Sequence, residues 1–176
     1  MPRIPYQPLD LQEPKELVDA IRARRGGRLL NLDRVLLYSP PLAKGWNTFL
    51  RAVRTELTLS SKLMEIAICT VAVVNRAEYE LHHHAPELVK AGGTPAQVEA
   101  LRALDGKEAD ATAFDAAERA VIRFTVELTR EVEVSDATFA AVKQALSDRQ
   151  VVELTGVVAA YNMVSRVLVA LGVGPE

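Results

Sequence analysis

Three histidines stand side by side in the stretch NRAEYELHHH, residues 75–84, and they are the only histidines of the chain. Two glutamates and a tyrosine precede them, with no aspartate or cysteine among them. Imidazoles near carboxylates can bind a metal ion, transfer protons near neutral pH, or simply lie on a solvated surface. The spacing of the residues helps to separate these three possibilities.

Helical geometry divides the histidines into two groups. Successive side chains of an α-helix are about 100° apart, so relative to Glu80 His83 falls near about −60° and His84 near about +40°. His82 falls near ~200°, on the opposite side of the helix. A carboxylate three or four residues before an imidazole can accept its N–H, fix its tautomer and raise its pKa. Glu80, His83 and His84 are therefore candidate acid–base residues, with an exposed and weak helix pair as the alternative.

A metal site is the weaker interpretation of the same residues. Glu80-x-x-His83 has the spacing found in di-iron helical bundles, which need a second such motif and further glutamates. Only one such motif appears in this chain. Zinc would need a third ligand, and Glu65 is the plausible one. We expect no bound metal and no cofactor.

A buried helix is predicted just before the histidines. The stretch SSKLMEIAICTVAVVN is apolar nearly all round, Ser60 or Ser61 can cap it, and Glu65 is its one acidic residue. An isolated acid costs several kcal/mol to bury unless it is neutral or paired. We therefore expect Glu65 to have a partner.

The histidines themselves are predicted on the next helix, which starts near Arg76. Pro86 lacks the N–H that would bond to the carbonyl of His82, so this helix is expected to kink or restart there. It should end at Gly92-Gly93.

The remaining segments also predict helices. Residues 31–45 are expected to be a connecting segment interrupted by Ser39-Pro40-Pro41, and residues 105–112 a loop. Helices are expected at about 12–25, 42–56, 94–104, 112–131, 135–146 and from 147 onward. No stretch alternates long enough to indicate a strand. We predict an all-α bundle of about seven to eight helices, forming one domain over 1–176 with an N-terminal extension and helix at 1–37 and a core at 38–176.

Composition limits the classes of function. Apolar residues make up 49%, charged residues 25% and the net charge is -2, so no strongly basic face is available for nucleic acid. The N-terminus lacks the apolar run of a signal peptide, and no 18 uncharged apolar residues follow one another. The single cysteine excludes an intramolecular disulfide. We expect a cytoplasmic protein that binds neither membrane nor nucleic acid.

The stretch from LTLSSKLMEIAICTVAVV through NRAEYELHHHAPELVKAGGTPAQVEALR resembles the core of the carboxymuconolactone decarboxylase superfamily, which has the AhpD-like fold. The similarity continues less densely into SPPLAKGWNTFLRAVR before it and VVELTGVVAAYNMVSRVLVALGV after it. The buried-helix glutamate, the E-Y-E triplet, the paired histidines and the Gly-Thr-Pro cap carry the resemblance. It implies the fold, and it implies a homo-oligomer that is a dimer, trimer or hexamer.

One branch of this superfamily, the alkyl hydroperoxidase D type, uses a glutamate, a C-x-x-C pair and a histidine as a thiol proton relay. The resemblance assigns the relay glutamate to Glu65 and the relay histidine to His84. Ala77 and Glu80 stand where the two cysteines would be. A disulfide-cycling peroxidase needs both thiols, so this activity is disfavoured. Cys69 is interpreted as a small buried core residue.

The other branch of the superfamily is represented by the decarboxylase of protocatechuate breakdown. That enzyme removes CO₂ from a carboxylated lactone without a cofactor. In that interpretation His83 or His84 delivers the proton, and Glu65 and Glu80 orient the imidazoles. Three aromatic residues are either core residues or contributors to substrate binding: Tyr79, Trp46 and Tyr161. Asn162 is a candidate donor to a substrate oxygen.

The leading hypothesis is a cofactor-free acid–base enzyme, a lyase acting on a small carboxylated lactone or oxo acid. A thiol-dependent peroxidase is the first alternative. A ligand-binding oligomer without catalytic activity is the second.

Overall fold

The structure is a computed structural model that describes residues 2–104 and 112–176. Every regular element in these residues is an α-helix, which confirms the predicted fold class. The described residues form nine helices, of which only α2 is shorter than eight residues. They are α1 (Lys15–Arg24), α2 (Asn31–Leu36), α3 (Pro40–Thr55), α4 (Ser61–Val74), α5 (Glu78–Lys90), α6 (Pro95–Arg102), α7 (Ala116–Glu131), α8 (Asp136–Ala145) and α9 (Asp148–Leu171).

The chain divides into two compact units. The first comprises residues 1–57 and 168–176, and in it α3 packs against α1 and α2. The second comprises residues 58–167, and in it α4 packs against α5, α6 and α7 while α7 packs against α8. The helices that carry the histidines and Glu65 belong to this second unit, and the single domain expected from the sequence stays a prediction.

Helix α4 is the buried helix that the sequence predicts. The Ser60 hydroxyl accepts a hydrogen bond from the Leu63 N–H at 3.3 Å, which caps the helix as expected. Ile66, Ile68 and Val71 are completely buried. Apolar residues on all sides of one short helix leave no solvated face, so α4 forms the centre of its unit.

Helix α5 runs through Pro86 without restarting, which excludes one of the two expected outcomes, and a kink at Pro86 stays a prediction. Proline removes one hydrogen bond, to the carbonyl of His82, and both residues are exposed, so water can satisfy that carbonyl. The helix ends as predicted. Gly92 adopts a left-handed φ of 95°, and the Gly93 N–H donates to the Leu88 carbonyl at 2.9 Å.

Helix α2 lies in a segment that the sequence analysis treats as a connection. The Asp33 carboxylate accepts a hydrogen bond from the Leu30 N–H at 3.0 Å, which fixes the first turn. Val35 and Leu36 are buried, so the segment contributes to the core of the first unit. Pro40 and Pro41 then occupy the first turn of α3, where proline costs no helical hydrogen bond.

Helices α6 to α9 lie where the sequence predicts them, but each begins one to four residues after its predicted start. The sequences Thr94-Pro95-Ala96-Gln97 and Ser147-Asp148-Arg149-Gln150 have the capping-box pattern. The Gln97 and Gln150 carboxamides accept from the Thr94 and Ser147 N–H groups at 3.1 and 3.0 Å. Helix α7 begins at Ala116 instead of 112, because the Asp115 carboxylate caps it. The predicted loop at 105–112 lies outside the described residues except for its last position.

Helix α9 alone, among the described helices, is long and apolar enough to cross a membrane. The core helix of a globular protein meets the same length and composition criterion. Its first twenty residues belong to the second unit, where Leu154, Val157 and Val158 are completely buried.

The end of α5 yields a test of the packing. A Cβ atom added to Gly93 would lie 2.7 Å from Leu88 side-chain atoms and 2.8 Å from the Leu88 carbonyl oxygen. Because a backbone atom cannot move aside, we expect Gly93→Ala to lower the free energy of unfolding by about 1–3 kcal/mol in chemical denaturation. Gly156→Ala on α9 is the matched control. No atom lies within 4 Å of its added Cβ, and alanine should raise stability by about 0.5–1 kcal/mol. Equal effects of the two substitutions would contradict this packing.

Candidate functional site

A hydrogen-bonded pair joins α4 and α5. The His84 Nδ1 atom lies 2.7 Å from the Glu65 Oε2 atom. The Glu65 side chain is 3% exposed and that of His84 is 15% exposed. The partner expected for the buried glutamate is therefore present, on the helix where the sequence analysis expects it. The hydrogen bond to Glu65 involves Nδ1, and Nε2 is the second ring nitrogen that can exchange a proton.

Helix α9 contributes an aromatic contact to the same imidazole. The Tyr161 ring meets the His84 ring edge to face, with centroids 5.0 Å apart and planes at 87°. Tyr161 is 3% exposed, so little of its surface is left for a ligand. The contact limits rotation of the imidazole, and Tyr161 positions His84 in addition to any role at the edge of a pocket.

Glu80 is deeply buried and bonded to a residue that the sequence analysis did not single out. The Ser165 hydroxyl on α9 donates to Glu80 Oε2 at 2.9 Å. Among the described residues, Glu80 Oε1 has no hydrogen-bond partner. Burial raises the pKa of Glu80 well above its ordinary value, and the hydrogen bond from Ser165 only partly offsets this. Burial therefore favours the neutral form of the Glu80 carboxyl relative to a solvent-exposed glutamate.

This finding corrects the role expected for Glu80. Its spacing to the histidines predicts that it accepts an imidazole N–H, but its hydrogen bond comes from Ser165. The carboxylate–imidazole hydrogen bond at this site is the one between Glu65 and His84. The orienting role of Glu65 stays a prediction.

The other two histidines differ in their surroundings. The His83 ring is partly buried and lies against the Tyr79 ring, with centroids 4.4 Å apart and planes at 53°. His82 is exposed, as the helical angles indicate, and touches the His83 ring edge to face. Tyr79 is 5% exposed, so it packs against His83 as a core aromatic.

Asn162 uses its amide within the protein. Its Oδ1 accepts from Asn75 at 3.0 Å and its Nδ2 donates to Thr129 at 3.0 Å. Arg166 also donates to the same Oδ1 atom. These bonds tie the end of α4 to α7 and α9, and they favour a structural role over substrate binding.

Three further residues considered in the sequence analysis are buried. Trp46 is a buried residue of α3 in the first unit, and its role as a wall of the substrate pocket stays a prediction. Cys69 is 1% exposed on α4, consistent with the core residue that the sequence predicts. Ala77, at the position of the first redox cysteine, is buried as well.

The described part of the chain contains no group of three or more histidine, cysteine, aspartate or glutamate side chains that could hold a metal ion. Glu65 and His84 provide two potential ligands, and Glu80 is bonded to Ser165. The residues present therefore do not fit the zinc site considered from the sequence.

Ser165 is the member of the site that sequence reasoning missed. It lies 85 positions after Glu80, so helical spacing within one segment could not reveal the contact. The available signal is weaker: Ser165 interrupts the apolar run of α9 one turn after Tyr161, and it is 1% exposed.

Comparison with solved structures supports the fold. An uncharacterized peroxidase-related protein from Ralstonia eutropha JMP134 with an AhpD core has a TM-score of 0.85 at 18% identity, covering 99% of this chain and 92% of its own. A similar protein from Silicibacter sp. TM1040 has a TM-score of 0.78 at 20% identity, with coverages of 99% and 89%. A variant of the debrominase Bmp8 in complex with 2,3,4-tribromopyrrole has a TM-score of 0.80 at 16% identity, with coverages of 98% and 92%.

No match was found among curated proteins. A sequence profile of the carboxymuconolactone decarboxylase family, in contrast, matches residues 40–127, which are 88 of the 176 residues. The matched range contains Glu65, Glu80 and all three histidines. With half of the chain matched and an AhpD-like helical fold, this protein belongs to the carboxymuconolactone decarboxylase family.

Proposed function

We propose that this protein is a cofactor-free acid–base enzyme, a lyase that decarboxylates a small carboxylated lactone or oxo acid. The hydrogen bond between His84 Nδ1 and Glu65 Oε2, at 2.7 Å and largely buried, is the observation that carries the proposal. A carboxylate in this position favours the imidazolium form, which can donate a proton from Nε2. Family membership supports the reaction class, since the family is named for a decarboxylase.

The proposed reaction needs one proton and stabilisation of one negative charge. As the carbon–carbon bond to the carboxylate breaks, CO₂ leaves and the electron pair stays on the substrate as an enolate. The His84 imidazolium offsets that charge and then delivers its Nε2 proton to the substrate carbon. Glu65 stabilises the imidazolium before the transfer and fixes the ring orientation. His83, partly buried next to Tyr79, is the alternative donor.

Glu80 has a different role in this proposal. In its neutral form, which burial favours, Glu80 can donate a hydrogen bond to a developing oxyanion, which an ionised carboxylate cannot. Ser165 holds Oε2, so Oε1 is the oxygen that would carry the proton. Two carboxyl groups in different surroundings thus have different tasks: Glu65 supports the charged imidazole and Glu80 acts as a neutral donor.

A peroxidase is the second candidate because two similar structures are called peroxidase-related. Cys69 is the only thiol of this chain and is 1% exposed, which leaves no cysteine to resolve a disulfide. We therefore favour the lyase. A homo-oligomer located in the cytoplasm, as expected from the sequence, remains part of the proposal.

The lyase proposal predicts a specific effect of His84→Asn. Asparagine keeps a donor near the position of Nδ1 and can still bond to Glu65, but it lacks a titratable Nε2. In a screen of carboxylated lactones and oxo acids, we expect the wild type to release CO₂ from at least one compound. The variant should lose about 10²–10⁴-fold in kcat with unchanged helix content.

His82→Asn is the matched control, since it changes the same residue type on an exposed position of the same helix. It should leave turnover unchanged. Full activity of both His84→Asn and His83→Asn, or no turnover of any compound by the wild type, would show that the lyase proposal is wrong. Peroxide consumption that is lost in Cys69→Ser would instead support the peroxidase.

Glu80 yields a prediction about stability and pH. A carboxyl whose pKa is raised in the folded protein binds more protons there than in the unfolded chain. Its contribution to stability is then lost as the pH rises from the ordinary glutamate value of about 4.3 towards the raised pKa. Glutamine does not titrate, so the Glu80→Gln variant does not lose stability in this way as the pH rises. We expect the variant to gain stability relative to the wild type as the pH rises, by up to about 1.4 kcal/mol per pH unit within that window.

Glu127→Gln is the control, because the pKa of Glu127 is shifted in the opposite direction to that of Glu80. Burial by itself raises the pKa of Glu127, but hydrogen bonds from Thr138 and Ser135 outweigh it and the pKa is lowered. The wild-type residue therefore stabilises the fold above the ordinary pKa, and Glu127→Gln should lose stability relative to the wild type as the pH rises. Urea denaturation between pH 4 and 8 measures both. A pH-independent difference for Glu80→Gln would contradict the raised pKa of Glu80.

A further inference from the structure

A pocket separate from the His84–Glu65 pair opens at the beginning of α5. Its volume is about 230 Å³, below the roughly 300–1,000 Å³ of sites for drug-sized ligands, so it fits a small molecule. Three elements of the second unit line it: the end of α4, the first turn of α5 and the end of α6. The lining residues are Ala72, Val73, Arg76, Ala77, Glu78, Leu81 and Arg102.

The lining divides into an apolar part and a charged part. The aliphatic floor consists of Ala72, Val73, Ala77 and Leu81. The charged residues are two arginines and one glutamate, which give the pocket a net charge of about +1 near neutral pH. A ligand that matches both parts has a compact apolar body and a single negative charge.

The two guanidinium groups have little competition from within the protein. No hydrogen bond or ion pair engages the Arg76 side chain among the residues that the structure describes. Arg102 Nε lies 3.4 Å from Glu99 Oε1, in a pair whose side chains are 48% and 74% exposed. An exposed pair of this kind contributes about 0–1 kcal/mol, so Arg102 can exchange Glu99 for a ligand at small cost.

The backbone at this pocket also favours an anion. Helix α5 begins here, and its N-cap residue Ala77 provides no side-chain hydrogen bond to the first turn. The free N–H groups of a first helical turn carry a partial positive charge. This charge adds to that of the guanidinium groups.

We propose that this pocket binds a small monocarboxylate, with the carboxylate paired to Arg76 and Arg102 and the apolar body on the aliphatic floor. Arginine suits this task because its planar guanidinium can donate two parallel hydrogen bonds to one carboxylate. Glu78 excludes ligands with a second negative charge. The proposal does not depend on the decarboxylation: none of Glu65, Glu80, His83 and His84 lines the pocket.

Binding of benzoate to the full chain tests the proposal, with benzamide as its neutral isostere and phthalate as the dianion. Two-dimensional ¹⁵N NMR titrations at constant low ionic strength give the affinities, because salt screens exposed charges. We expect saturable binding of benzoate that is about tenfold or more tighter than that of benzamide or phthalate. The amide signals of Ala77 and Leu81 should shift.

Variants then identify the groups responsible. Arg76 adopts a left-handed φ of 55°, a conformation that glycine occupies more easily, so Arg76→Gly removes the cation without straining the backbone. We expect Arg76→Gly and Arg102→Gln each to weaken benzoate binding about tenfold, and Glu78→Gln to strengthen it. Arg130→Gln is the control, since this exposed arginine near the end of α7 does not line the pocket.

Three results would overturn the proposal: no saturable binding of benzoate, equal affinity for benzamide, or benzoate affinity unchanged in both arginine variants. Each is distinguishable from a failure of the proposed lyase, because the His84→Asn enzyme should bind benzoate as the wild type does.

Discussion

A carboxylate in the most apolar helix of the protein is the constraint on which the candidate site depends. Glu65 is 2% exposed as a residue and lies among completely buried aliphatic side chains of α4. Burying an unpaired carboxylate would cost several kcal/mol, a large fraction of the 5–15 kcal/mol that typically stabilises a domain. The imidazole of His84 satisfies this carboxylate, so the position of α5 against α4 and the orientation of the imidazole are fixed by one interaction.

Helix α9 contacts the two site residues of α5, His84 and Glu80. Tyr161 packs on His84 and Ser165 bonds to Glu80, so two residues one turn apart on α9 meet two residues one turn apart on α5. By the resemblance, the position of Glu80 corresponds to one of the two cysteines of the alkyl hydroperoxidase D branch. Here it holds a carboxyl group whose pKa is raised by burial, and the proposed chemistry moves protons instead of electrons.

The sequence predicted most of the fold because its signals are local. Serine caps, capping boxes and glycine ends mark α4 to α9, and the apolar composition of α4 predicted its burial. The Glu65–His84 pair was accessible because a buried acid requires a partner and the family resemblance names one. Long-range contacts were not accessible: Ser165 replaced an imidazole as the partner of Glu80, and Asn162 turned out to be bonded internally. Helix α2 was missed for two reasons. Its first turn is fixed by one carboxylate, that of Asp33, and Pro40 and Pro41, which follow it, indicated a connecting segment.

The most direct test of the account is the position of the proton on the neutral imidazole of His84. Long-range ¹H–¹⁵N NMR spectra distinguish Nδ1–H from Nε2–H, and Glu65→Ala provides the comparison. If an ionised Glu65 holds the ring, the neutral ring of the wild type carries its proton on Nδ1 and the variant loses this preference. A wild-type ring protonated on Nε2, or one that is the same in Glu65→Ala, would contradict the account.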